Sequence, residues 1–212
     1  MSQWMNDDDD DEGEDSKPNN AKKKGDPGLN DKLLDARTLI IAEEVGDALY
    51  RKVATMLTLL ERRDHTKPIT AFINSPGGSA DSGFAIYDLF RFSPCPIITV
   101  ANGVVASSAV LIFLGGVQGK RLSMPNARFL LHQPSTATRG QASDIDITAR
   151  EISKIRRRYN EIVAESTGRN LDLVEKDSDR DFWLSAKEAV DYKLANRIVS
   201  RRGELEELAT AK

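Results

Sequence analysis

Ile69-Thr70-Ala71-Phe72-Ile73-Asn74-Ser75-Pro76-Gly77-Gly78 is the stretch on which the fold turns. Ile69 to Asn74 is rich in β-branched and aromatic residues and reads as a strand. Ser75-Pro76-Gly77-Gly78 ends it with residues that suit a turn. Upstream, Val45, Leu49, Val53, Met56, Leu57 and Leu60 recur at helical spacing, so residues 46–63 should form an amphipathic helix. Thr38 to Ala42 reads as a strand before it. Downstream, a helix runs to about Phe92, then Pro96 to Ala101 reads as a third strand. Ser107 to Leu114 reads as a short apolar helix and Arg128 to Leu131 as a further strand. Strands alternating with helices imply an α/β domain of βαβ units on a largely parallel sheet.

The longest helix should run from about Ser143 to Glu165. Ile145, Ile152, Ile155, Tyr159 and Ile162 form an apolar seam near a 3.5-residue period, which ordinary packing on the core would explain. Ser143 can cap its start and Gly168 can end it. Ser185 and Glu188 make a capping box for one more helix.

At 212 residues the chain suits one domain with a sizeable core. The net charge of −3 hides a split: residues 1–31 hold ten acids and four lysines, so they carry −6 and the rest +3. The tail over residues 1–31 reads as disordered and acidic. Residues 32–200 read as the globular domain, and residues 201–212 as a charged C-terminal tail. A charge of +3 is too mild to suggest nucleic acid as a partner. The single Cys95 excludes an internal disulfide framework and fits a reducing compartment. No apolar run reaches a membrane span, and the acidic N-terminus has the wrong sign for a signal or transit peptide, so a cytoplasmic location is expected. With no Cys/His cluster, phosphate loop or paired-carboxylate motif, neither metal nor cofactor is expected.

Ser107, His132 and Asp181 lie beside small-residue turns or apolar strands, in the order Ser, His, Asp. These are the parts of a hydrolytic triad. Serine is a poor nucleophile at neutral pH and needs a base whose pKa lies near the operating pH, which histidine supplies. The acid orients the imidazole and stabilises its cation. Gly103 and Ala106 allow a tight strand-to-helix bend at Ser107, and free amides at the helix start suit a developing oxyanion. Gly77-Gly78 lets a peptide amide approach with no Cβ in the way. Each residue also has a plainer role. Ser107 can be an N-cap, His132 a structural histidine and Asp181 a surface acid, and Ser108 competes with Ser107 as nucleophile. Together a triad accounts better for all three. His65 reads as a solvated loop residue and Cys95 as a small hydrophobe.

Several segments resemble the ClpP family, the proteolytic subunits of the Clp protease. They are Ile73-Asn74-Ser75-Pro76-Gly77-Gly78, the stretch around Ser107, Gly119-Lys120-Arg121 and Leu122-Ser123-Met124-Pro125-Asn126. Leu131-His132-Gln133-Pro134, Gly140-Gln141-Ala142-Ser143-Asp144-Ile145 and Asp179 to Ala189 complete the set. The resemblance spans about Leu33 to Ser200. It implies a crotonase-like fold and a serine endopeptidase, with Ser107 as nucleophile, His132 as general base and Asp181 as orienter. It gives the oxyanion hole to the amides of Gly78 and Ser108, and so favours Ser107 over Ser108. It also implies heptameric rings stacked as a tetradecamer, fed with unfolded chains by an AAA+ Clp unfoldase. The long helix becomes a handle between rings, with Gln141, Asp144, Asp179 and Arg180 at the ring–ring contact. The unfoldase would dock at Thr70, Phe72, Phe92 and Leu122.

The chain departs from that family in places. Gly103-Val104-Val105-Ala106-Ser107-Ser108-Ala109 stands where the family has Gly-Gln-Ala-Ala-Ser-Met-Gly, and the acidic tail stands where it has an axial loop. Thr70 replaces an aromatic wall of the outer pocket, which favours docking through a paralogue in a mixed particle. Two other classes are weighed beside the peptidase. One is a non-proteolytic structural subunit of a mixed ring. The other is an acyl-CoA hydratase or isomerase, which leaves the triad spacing unexplained.

Overall fold

The protein is described by a computed structural model over residues 27–135 and 139–210. Most of the expected acidic tail, residues 1–26, lies outside the described residues. Its last part does not fit that expectation, because Pro27–Asp35 is a helix (α1). Proline at a first helical position loses no hydrogen bond, since that amide has no partner within a helix.

The expected alternation follows. Thr38–Ile41 (β1), Asp47–Arg63 (α2), Ile69–Ser75 (β2), Ala80–Phe92 (α3) and Ile97–Ala106 (β3) succeed one another. Leu49, Val53, Leu57 and Leu60 form the buried stripe of α2, as the 3.6-residue spacing requires. β1, β2 and β3 pair in parallel, with Thr38 opposite Thr70 and Thr70 opposite Ile98. The third strand does not stop at Ala101. It continues to Ala106, with Gly103 at φ 133° inside it. A Cβ at position 103 would sit 2.5 Å from Asn74 Oδ1, so glycine is required there on both counts.

β3 divides the sheet. Its first half pairs in parallel with Arg121–Ser123 (β4), which in turn pairs with Arg197–Ile198 (β7). Its second half pairs with Arg128–Leu131 (β5), Val104 lying opposite Arg128. Phe182–Ser185 (β6) adds an antiparallel edge to β5. Between these strands lie Ser108–Leu114 (α4), Ala142–Thr167 (α5), Leu171–Asp177 (α6) and Ala186–Asp191 (α7). The last described element is Arg202–Thr210 (α8), so the expected charged tail is helical over these residues.

The main core includes every apolar residue of α4. Ile98, Val100, Leu122, Val199 and Leu205 form a smaller second cluster against Phe72. Leu205 ties α8 to the sheet through this cluster. α5 begins at Ala142 rather than Ser143, and Gln141 occupies its N-cap position without a side-chain bond. Gly168 ends it in the left-handed conformation, and Ser185 with Glu188 forms the expected capping box.

Candidate active site

Strand register brings the three expected side chains to one end of the sheet. Ala106 pairs with Leu130, so β3 delivers Ser107 beside the end of β5, one residue before His132. Leu131 pairs with Phe182 in antiparallel fashion, so the next rung places His132 opposite Asp181. His132 Nδ1 lies 3.6 Å from Asp181 Oδ1, an ion-pair separation longer than a hydrogen bond. The Asp181 side chain is 67 % exposed.

Ser107 is built into a strained turn. Its φ of 56° and ψ of −127° are unusual for a residue with a Cβ, at a cost of about 1–3 kcal/mol. The surroundings over-determine that conformation. Its amide donates to Leu130 O at 2.9 Å, and its carbonyl accepts from Val110 N at 3.0 Å and from the Tyr159 hydroxyl at 3.4 Å. Burial pushes the Tyr159 phenol far above its usual value, so it remains a neutral donor. Gly77 presses on the same turn: a Cβ there would lie 2.7 Å from Ser107 Cβ and 2.5 Å from Ala106 O. Gly83 lets α3 approach Ser108 as closely, with 2.9 Å to its Cβ.

The two serines are no longer equivalent. Ser108 is 4 % exposed and its Oγ is buried without a partner, whereas Ser107 is half-buried. Ser107 makes no side-chain cap bond to α4, so the plain N-cap role does not account for it. Ser107, Ser108, His132 and Gly78 line one cleft of about 220 Å³, with Ser79, Leu111, Pro134, Ile155 and Tyr159 among its walls.

Gly78 owes its orientation to a short parallel bridge. Val45 N donates to Gly77 O and Ser79 N donates to Val45 O, both at 2.8 Å. In such a bridge the middle residue turns its own N–H away from the partner chain, so the Gly78 amide is not spent on Val45. Its φ is 146°, and a Cβ would meet Val45 O at 2.3 Å. Ser108, the first residue of α4, has an amide that the helix cannot satisfy.

The other expected positions fare differently. Gln141 and Asp144 are exposed at the start of α5, and Arg180 is exposed beside Asp181. Asp179 is engaged within the chain, its carboxylate 3.3 Å from Arg156 and its carbonyl accepting from Gln133. Phe92 is 87 % exposed, and Thr70 and Phe72 are partly buried. Leu122 must be corrected: it is fully buried in the second cluster and offers no docking surface in this chain. Met124 and Pro125 line the nearby cleft with Phe72 instead. Tyr159 was not singled out from the sequence as a site residue. It lies 52 positions from Ser107, and its place in the α5 seam gives no sign of that contact.

Comparison with known proteins gives the family and the fold. The Clp protease family model matches residues 24–202. The chain belongs to the Clp protease family. ATP-dependent Clp protease proteolytic subunit 2 of Treponema denticola is 42 % identical over 186 residues, 88 % of this chain and 93 % of that protein. Subunit 3 of Rhizobium etli is 43 % identical over 173 residues, 82 % and 89 % of the two chains. The structure of a ClpP1 mutant from Listeria monocytogenes superposes with a TM-score of 0.78 at 40 % identity. It covers 84 % of this chain and 99 % of that one. The fold is therefore that of ClpP, and this Clp protease family member is a peptidase. Among the described residues no helix is long and apolar enough to cross a membrane.

Proposed function

We propose that this chain is a serine endopeptidase, the proteolytic subunit of an ATP-dependent Clp protease, with Ser107, His132 and Asp181 as its triad. The strained Ser107 turn, opening on the same cleft as His132, is the observation that carries the reading. Ser107 Oγ attacks the scissile carbonyl carbon and its proton passes to His132. The C–N bond then breaks, and the same proton leaves on the departing amine. Water repeats the sequence on the acyl-enzyme and regenerates the serine. Asp181 orients the imidazole through Nδ1, and the 3.6 Å gap tightens when the imidazole becomes a cation. The amides of Gly78 and Ser108 receive the oxyanion.

On its own the chain forms two stacked heptameric rings, fourteen copies of 23.4 kDa and about 330 kDa in all. Unfolded polypeptide enters its chamber from an AAA+ Clp unfoldase, in the cytoplasm. The unfoldase faces Phe72 and the exposed Phe92. With Thr70 in place of an aromatic, a ClpP paralogue in a mixed particle supplies the stronger docking face.

The test is peptide cleavage by purified variants. Ser107→Ala, His132→Ala and Asp181→Asn should each lose roughly 10³-fold or more while staying folded. Wild-type turnover in Ser107→Ala with loss in Ser108→Ala would place the nucleophile one residue on. No labelling of the wild type by a serine-reactive probe would favour a structural subunit.

A further inference from the structure

Arg121 occupies a position where a hydrophobic residue is the ordinary choice. It precedes Leu122 on β4, and since strand neighbours point to opposite faces, it faces away from the second cluster. Arg121 is 1 % exposed and heads the largest fully buried side chains. A charge so placed requires an opposite charge or a full set of hydrogen bonds. It has neither. Its Nη2 donates to Gln118 Oε1, to Ser166 O at 2.8 Å and to Lys193 O at 3.4 Å. Its Nε is buried with no partner among the described residues, and no carboxylate there forms an ion pair with it.

A second arginine shows what a purely structural solution looks like. Arg37 donates from Nε to Pro68 O, from Nη1 to Leu60 O, and from Nη2 to the carbonyls of Asp64 and Lys67. Carbonyls there engage every nitrogen of the fork. At Arg121 they serve Nη2 alone.

Beside Arg121 opens a cavity of about 480 Å³, walled in part by Tyr87, Arg91, Glu165, Gly168 and Lys193. Two further cations thus meet a single acid, and that acid already lies 3.6 Å from Arg158. Burial, opposed by Tyr87 and reinforced by Arg91, lowers the Arg121 pKa to about 10, so the guanidinium is charged at neutral pH. Fork geometry suits two oxygens on one centre, and here Nε still has its proton unspent.

We propose that this cavity binds an oxyanion, a carboxylate or phosphate group, held by Arg121 with Arg91 and Lys193 at its rim. The group can come from a free solute or from an acidic side chain of another copy of the chain. The site is separate from the Ser107 cleft, so it stands or falls independently of the triad.

The probe is inorganic phosphate, titrated into the assembled protein in chloride buffer at constant ionic strength and followed by calorimetry. Arg121 is a core residue whose replacement can unfold the chain, so the test rests on the exposed rim, with Arg91→Gln and Lys193→Gln combined. Saturable binding that weakens about tenfold or more in the double variant supports the proposal with a free anion. No phosphate binding, together with a lower particle mass in native mass spectrometry for the double variant, supports the same site filled by a neighbouring copy. Equal phosphate binding by wild type and double variant overturns it. So does a flat titration with unchanged particle mass.

Discussion

From Ala142 to Arg158 helix α5 is largely exposed; from Tyr159 to Thr167 it is buried against α4 and α6. One apolar seam runs through both parts. Along it Ile145 is 41 % exposed, Ile152 and Ile155 are half-buried, and Tyr159 and Ile162 are buried; Ile147, off the seam, is 59 % exposed. The outer part has one tie to the domain, Arg156–Asp179, and otherwise local pairs along its own surface, Arg150–Asp146 and Lys154–Glu151. Each local pair is worth only about 0.2–0.5 kcal/mol. The inner part is held by packing and carries the Tyr159 bond to Ser107. A continuous helix can therefore be secured by two unrelated means. The inner half belongs to the domain core and carries the bond to the Ser107 turn. The outer half presents Ile145 and Ile147, which the described residues leave exposed, a surface that suits the proposed contact between rings.

The contrast can be broken by substitution. Ile162→Ala should cost about 2–5 kcal/mol in denaturant unfolding, because it leaves a cavity in the core. A cost below that of a surface change would mean that the inner half is not the anchored one. Tyr159→Phe should cost about 0.5–1.5 kcal/mol and slow peptide cleavage, since it removes one of the two bonds to the Ser107 carbonyl. Unaltered cleavage would detach the helix from the nucleophile turn. Ile147→Ala should change the chain's own stability by no more than about 0.5 kcal/mol. It should nonetheless favour single rings in native mass spectrometry, as should charge reversal at Arg180. Intact particles in both variants would leave the outer half without a purpose in assembly.

What could be read from the sequence follows from how strongly each segment repeats. α2 announces itself through four buried residues at helical spacing, and β2 through a run ended by Pro76-Gly77-Gly78. The candidate catalytic residues were legible because Ser107, His132 and Asp181 sit in distinctive local sequence. β4 and β7 were not, being three and two residues long and too short to show a period. β3 reads as ending at Ala101, but in the fold Gly103 lets the strand continue past Asn74 to Ala106. α1 and α8 hide in charged sequence. Leu122 was misplaced because its burial depends on Val199 and Leu205, remote in the chain and brought over it only by folding.

The antiparallel pairing of β5 with β6 has a consequence for the growing chain. Leu131 meets Phe182 across an intervening stretch that contains α5 and α6, a closure that local segments cannot anticipate. During synthesis from the N-terminus, Ser107 is made well before Asp181. The nascent chain holds its proposed nucleophile without the acid that would orient the base. The proposed triad is thus complete only after nearly the whole domain has been made.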